Sequence, residues 1–173
     1  MLDRLPFRAT PLARPYEGIR RLPVIFALEH VRSLYNVGAF FRTADAVSLE
    51  ALWLVGITAR PTDPRIAKTA LGAESVVPWE HWPDTVSAID TLRTRGFEVA
   101  ALDTVAPAVD LFEWQPRFPV CVVFGHEVEG VCPETLACAD TRVRIPMLGR
   151  KHSLNVATAG GVVAYELLRR CRG

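Results

Sequence analysis

The chain switches repeatedly between two patterns of apolar residues. Short runs over 24–28, 51–55, 75–77, 98–102, 120–124 and 141–145 are strand-length, and most are rich in Val, Leu and Ala with few polar interruptions, which predicts strands buried on both faces. Between them, apolar residues recur at helical spacing over 37–47, 64–69, 85–95, 133–139 and 154–170. Strand alternating with helix predicts an α/β fold, a mostly parallel six-stranded sheet with helices on both faces. Residues 1–21 contain Pro6, Pro11 and Pro15 and keep no period, so they read as an extended arm ahead of one domain over 22–173. There is no internal repeat and no low-complexity tract.

Composition adds little until it is divided along the chain. With 173 residues, half of them apolar and 23% charged, the sequence suits one compact domain. The N-terminus lacks a secretory apolar core and no stretch reaches the roughly 18 apolar residues of a membrane span, so a cytoplasmic protein is expected. Cys121, Cys132, Cys138 and Cys171 form no CxxC pair and have no His at zinc-ligand spacing; they read as reduced, mostly buried thiols, and no metal is expected. The net charge of +1 hides a strong split: residues 1–32 and 142–172 together carry +9, whereas 33–141 carries −8. A basic surface would form where the ends meet, which makes nucleic acid a candidate partner. Arg outnumbers Lys eighteen to two, which suits phosphate contacts but is equally what biased codon usage would produce.

In parallel α/β sheets ligands sit at the carboxyl ends of strands, so the loops after strands are where chemistry is sought. Three stand out. The first runs through Asn36 and Gly38 into a helix carrying Arg42; the second brackets Glu127 and Glu129 between Gly125 and Gly130; the third is Pro146 through Asn155. Singly they are weak. The second loop lacks both the GxGxxG and the GxxxxGK[ST] spacing, and alone reads as a tight turn. Ser153 or Asn155 could be a helix cap, no GxSxG elbow surrounds Ser153, and Arg42 could be a surface residue on an apolar helix.

Taken together and in order, the stretches NVGAFFRTADA (36–46), VFGHEVEGV (123–131) and IPM through SLNV (145–156) resemble the three motifs of the SpoU/TrmH family of RNA 2′-O-ribose methyltransferases. The resemblance spans about 22–170. It implies the SPOUT fold with a C-terminal deep trefoil knot, S-adenosyl-L-methionine as cofactor, tRNA or rRNA as substrate, and a homodimer. It makes Arg42 the catalytic arginine and Asn36 its companion, matches Glu127 to the carboxylate of the second motif and Ser153 and Asn155 to the polar pair of the third, and places Leu102, Gly125, Ile145 and Leu154 at the cofactor. His126 and His152 fall at variable positions and read as bystanders or RNA contacts.

The implied reaction moves a methyl from a sulfonium to a neutral hydroxyl, so the protein must align donor and acceptor and help a proton leave. Guanidinium is a poor base. Arg42 either assists proton transfer with a neighbouring phosphate or stays cationic and stabilises the developing alkoxide; electrostatic positioning is favoured on physical grounds. Two other readings are a non-catalytic knotted RNA-binding module and a SPOUT enzyme methylating a base nitrogen. The full polar set speaks against the first, and the Asn36/Arg42 and Ser153/Asn155 pairs favour ribose. Only about 21 residues precede the first strand, so RNA would be held by the arm, the catalytic surface, the last helix or a partner, with Arg14, Arg20, Arg21, Arg169, Arg170 and Arg172 as candidate phosphate contacts.

Overall fold

The structure is a computed structural model that describes residues 21–104 and 107–172. In chain order its elements are β1 (Leu22–Glu29), α1 (Leu34–Ala46), β2 (Leu49–Val55), α2 (Pro64–Ala70), β3 (Trp79–Trp82), α3 (Thr85–Thr94), β4 (Glu98–Leu102), β5 (Val109–Asp110), β6 (Val120–Phe124), α4 (Pro133–Cys138), β7 (Thr141–Arg144) and α5 (Val156–Cys171). The strands form one sheet in the order β3-β2-β1-β6-β4-β7-β5, and every pairing is parallel. The arm expected over 1–21 lies, apart from exposed Arg21, outside the described residues.

The expectation of six strands is corrected to seven. The third strand is Trp79–Trp82, not 75–77, because the chain at Ala73–Ser75 coils into a 3-10 turn whose preceding Gly72 has φ of 96°. This edge strand is Trp-Glu-His-Trp, half-buried and without the aliphatic run of a central strand. The seventh, β5, is only two residues long and carries no periodicity to read. The thiols also differ from expectation: Cys121 is buried, while Cys132, Cys138 and Cys171 are only partly so.

Side chains alternate between two cores. Val24, Phe26 and Leu28 of β1, with Val120, Val122 and Phe124 of β6, face α1, α2 and α5. Ile25, Ala27, Cys121 and Val123 face α3 and α4. The first core is centred on Phe26, Phe40 and Phe124, packed edge to face with centroids 4.7–6.2 Å apart. The second is sealed by Trp53 stacked on Trp82 at 4.7 Å. A buried carboxylate on β1, Glu29, is satisfied by the Thr85 and Thr135 hydroxyls and by the Cys132 N–H at 2.8 Å, which pins the starts of α3 and α4 to the same strand end.

The helices of the first core approach unusually closely. A Cβ on Gly38 would fall 2.0 Å from Thr69 Oγ1 and 2.6 Å from the Ile66 carbonyl, and one on Gly160 would fall 2.3 Å from the Phe40 ring. These two glycines let α1 lie against α2 and α5 at once, so that α1 and α5 start side by side above the carboxyl edge of the sheet. Gly38→Ala should destabilise the protein by about 1–3 kcal/mol through overpacking, despite alanine's better helix propensity. Urea unfolding measures this, and a variant as stable as the wild type would refute the close approach.

Candidate active site

The sheet order determines where a ligand fits. β1 hands the chain on to β2 on one side, whereas β6 hands it on across β4 to β7 on the other. The loops after β1 and β6 therefore diverge and open a crevice at the switch point.

The loop after β1 ends at Ser33, whose hydroxyl caps α1 by accepting the Asn36 N–H at 3.3 Å. The helix thus begins at Leu34 and carries Asn36 on its first turn. Glu127, in the loop after β6, reaches across to this helix start. Its carboxylate accepts the backbone N–H of Ser33 at 3.1 Å and of Arg32 at 3.3 Å, and the Asn36 side-chain amide at 3.1 Å. Burial would raise the Glu127 pKa, but this is outweighed by backbone N–H donors, its own and that of Ser33 among them, and by the Asn36 amide, so the carboxyl is held below its usual value.

The third loop joins through Asn155. Its Oδ1 accepts the N–H groups of Ala157 and Thr158 at 3.0 and 3.2 Å, capping α5, and its Nδ2 donates to Asn36 Oδ1 at 3.2 Å. Of the Ser153/Asn155 pair, the cap is therefore Asn155. Ser153 is exposed and has no hydrogen-bond partner among the described residues.

The loop between Gly125 and Gly130 is pinched shut by reciprocal backbone bonds between His126 and Gly130 at 2.9 and 3.0 Å. A side chain cannot enter here: a Cβ on Gly125 would meet the Gly130 backbone at 2.2 Å. Gly130 has φ of 76°, in the left-handed region, and faces Asp103. Asp103 accepts the Val131 N–H at 2.9 Å and fastens this loop to the end of β4. His126 Nδ1 accepts the Val128 and Glu129 N–H groups, both at 3.2 Å.

These loops enclose a cavity of about 370 Å³, a size suited to a nucleoside-like ligand. Leu102, Gly125, Ile145 and Leu154 line it, as do Glu127, Ser153 and Asn155. Asn36 stands behind Glu127 and Asn155, joined to both. Arg42 is set apart. It is exposed, lies six residues further along α1, about 9 Å along the helix axis, and does not line the cavity. It has no ion-pair partner among the described residues. The sequence does not single out Asp103, Thr104 and Met147 on the wall, and His126 and His152, which read as bystanders or RNA contacts, also line it. Asp103 had one signal, its place next to Leu102 at a strand end.

The basic residues separate into different settings. Arg14 and Arg20 lie outside the described residues. Arg21 and Arg172 are exposed. Arg169 forks onto Glu166 at 2.7 and 2.8 Å. Arg170 is turned inward, its side chain 12% exposed, held by Glu166 at 2.7 Å and the Phe112 carbonyl at 2.6 Å. Among the described residues no three His, Cys, Asp or Glu side chains cluster as metal ligands, and no helix is long and apolar enough to cross a membrane.

One family model runs across all three loops. The model of the SpoU rRNA Methylase family covers residues 23–165. The chain belongs to the SpoU rRNA methylase family. It is 37% identical over 154 residues to the tRNA (guanosine(18)-2′-O)-methyltransferase of Thermus thermophilus, covering 87% of this chain and 77% of that protein. An AdoMet-bound rRNA methyltransferase from Sinorhizobium meliloti superposes with a TM-score of 0.79 at 32% identity, over 84% of this chain and 56% of that one. A structure bearing on 2-OH methylation of C/U34 on tRNA superposes at 0.77 with 28% identity, over 86% of this chain and 95% of that one. The chain thus spans little more than half of some relatives and nearly all of others.

In this SpoU site the depressed Glu127 pKa sets a pH dependence. A carboxyl whose folded-state pKa is lowered contributes stability above its unfolded value, near 4.5, and loses it as pH falls through the lower folded value. Wild type should therefore be more stable than Glu127→Gln at neutral pH, and this gap should close in acid. Urea midpoints of both proteins across that range test the assignment; a gap that persists unchanged into strong acid would count against it.

Proposed function

We propose that this chain is an S-adenosylmethionine-dependent methyltransferase that modifies a ribose 2′-hydroxyl of RNA in the cytoplasm. The observation that carries the reading is the hydrogen-bonded run from Asn155 through Asn36 to Glu127, which joins the three family motifs beside one nucleoside-sized cavity. The residues fit the cofactor. Leu102, Ile145 and Leu154 offer apolar walls for an adenine, Gly125 adds a stretch of backbone to the lining, and the Asp103 and Glu127 carboxylates suit a ligand with a positive centre. S-adenosylmethionine, when bound, supplies a methyl on a sulfonium already activated for in-line displacement.

The chain's own groups do the remaining work. For the ribose oxygen to take the methyl carbon its O–H bond must break; the proton passes to solvent water, and negative charge develops on the oxygen to the extent that the proton leaves ahead of the new bond. Arg42 holds this oxygen electrostatically through its guanidinium. Arg42 does not line the cavity of its own protomer, so we assign it to the cavity of a second copy, in a homodimer whose C-terminal segment is threaded as a trefoil knot. The relatives act on guanosine 18 of tRNA, on rRNA, or on C/U34 of tRNA, and tRNA is the favoured substrate class here.

Incubation with labelled S-adenosylmethionine and separated tRNA and rRNA, then nuclease digestion, should yield a nucleoside methylated on ribose; a base-methylated product would refute the reading. Arg42→Ala should lower methyl transfer by about 10²–10³-fold with cofactor affinity unchanged. Mixing it with Leu154→Trp, which fills the cavity, should restore activity in hybrid dimers. Turnover near wild type in Arg42→Ala would remove this residue from the mechanism, and absence of rescue would mean that each protomer is self-contained.

A further inference from the structure

The loop from β7 to α5 has two sides. Ser153, Leu154 and Asn155 close the cofactor cavity, while residues 146–151 line a second cleft of about 480 Å³ together with Asp110 and Arg144. The two cavities share Thr104, Ile145, Met147 and His152, so the second opens beside the first.

Their charges are opposite. The first is lined by the carboxylates of Asp103 and Glu127. The second carries Arg144, Arg150 and Lys151 against Asp110 alone, and Asp110 is bound by Arg144. Arg150 and Lys151 are exposed and have no ion-pair partner among the described residues. Leu148, which lines the same cleft two residues before Arg150, stands wholly in solvent at 101% relative exposure. Contiguous cavities of opposite sign suit two ligands of opposite charge that must meet, a cationic methyl donor and a polyanion carrying the acceptor.

We propose that this second cleft seats the RNA backbone next to the target nucleotide, with Arg150 and Lys151 on the flanking phosphates and Leu148 against the adjoining sugar or base. The proposal rests on the reading of the chain as an RNA methyltransferase and adds where the strand enters. Arg150 and Lys151 supply charge without fixed partners, which lets them follow a phosphodiester path, and the shared wall places that path within reach of the methyl donor.

The double variant Arg150→Ala/Lys151→Ala tests this in the full chain, with Arg117→Ala, a cation just before β6 and away from both cavities, as control. Binding of unfractionated tRNA and of rRNA is measured over a series of salt concentrations, with S-adenosylmethionine affinity and methyl incorporation alongside. Tenfold or greater loss of RNA affinity is expected, and the slope of log K against log salt should shrink by about 1.4–1.8, the loss of two phosphate contacts. Cofactor affinity should stay within about twofold. RNA affinity and slope equal to those of the control would overturn the proposal, as would loss of cofactor binding with RNA binding intact. If the wild type binds RNA with the expected loss in the variant, yet forms no ribose-methylated product, the cleft stands and the methylation reading falls. If the wild type binds no RNA, both fall.

Discussion

Three loops that the sheet would leave independent are held together by one directed run of hydrogen bonds. Asn155 Oδ1 is committed to the first N–H groups of α5, which leaves its Nδ2 to donate; Asn36 accepts it on Oδ1 and donates from Nδ2 to Glu127. Each amide orientation is thus fixed by the bond before it. The run ends on a carboxylate that also accepts the N–H groups of Arg32 and Ser33, an anion at the positive end of α1. Neutral bonds of this kind contribute roughly 1 kcal/mol each, and bonds to a charge somewhat more. Their larger consequence is geometric: moving any one loop breaks a bond in the run that aligns the others.

That arrangement depends on packing further down. α1 and α5 begin side by side only because Gly160 admits the Phe40 ring, and α1 keeps its place against α2 because Gly38 has no side chain to collide with Thr69. The strands beneath are buried on both faces and set these helices at a fixed height above the carboxyl edge. The cavity wall has the same origin. Gly125 and Gly130 keep the second loop pinched, and Asp103 fastens it to β4, so this side of the cavity is walled by backbone tied to the sheet.

Much of this was legible in the sequence, and the failures have physical causes. The central strands were readable because a strand covered on both faces must be apolar throughout. The edge strand Trp79–Trp82 is half-covered and aromatic, and β5 is too short to show a period, so both escaped, while Val76 and Val77 imitated a strand just after the 3-10 turn. The three motifs were legible only in conjunction, because each alone has a structural explanation; Asn155 is indeed a helix cap as well as a site residue. The backbone donors that hold Glu127 leave no trace in residue identity. The outward direction of Arg42, by contrast, was legible: Val37, Phe40, Phe41 and Ala44 are buried as their spacing implies, and the same spacing turns Arg42 to the exposed face of the helix.

Charge shows why pairing matters more than counting. The basic C-terminal segment predicted by summation divides once partners are known: Arg169 and Arg170 are held by Glu166, Arg142 by the Leu136 carbonyl and Arg144 by Asp110. An arginine engaged in this way has part of its donor set committed within the protein, as inward-facing Arg170 has to Glu166 and to the Phe112 carbonyl. Arg150 and Lys151, beside the cavity, have no ion-pair partner among the described residues. A surface pair such as Arg65 with Asp63 adds little to stability, but it does neutralise a cation that would otherwise attract phosphate. Since screening removes the influence of exposed charges beyond about 8–10 Å, the charges that act on an approaching strand are the unpaired ones nearest the reacting centre, and the nearly neutral total of the chain has no bearing on where RNA lies.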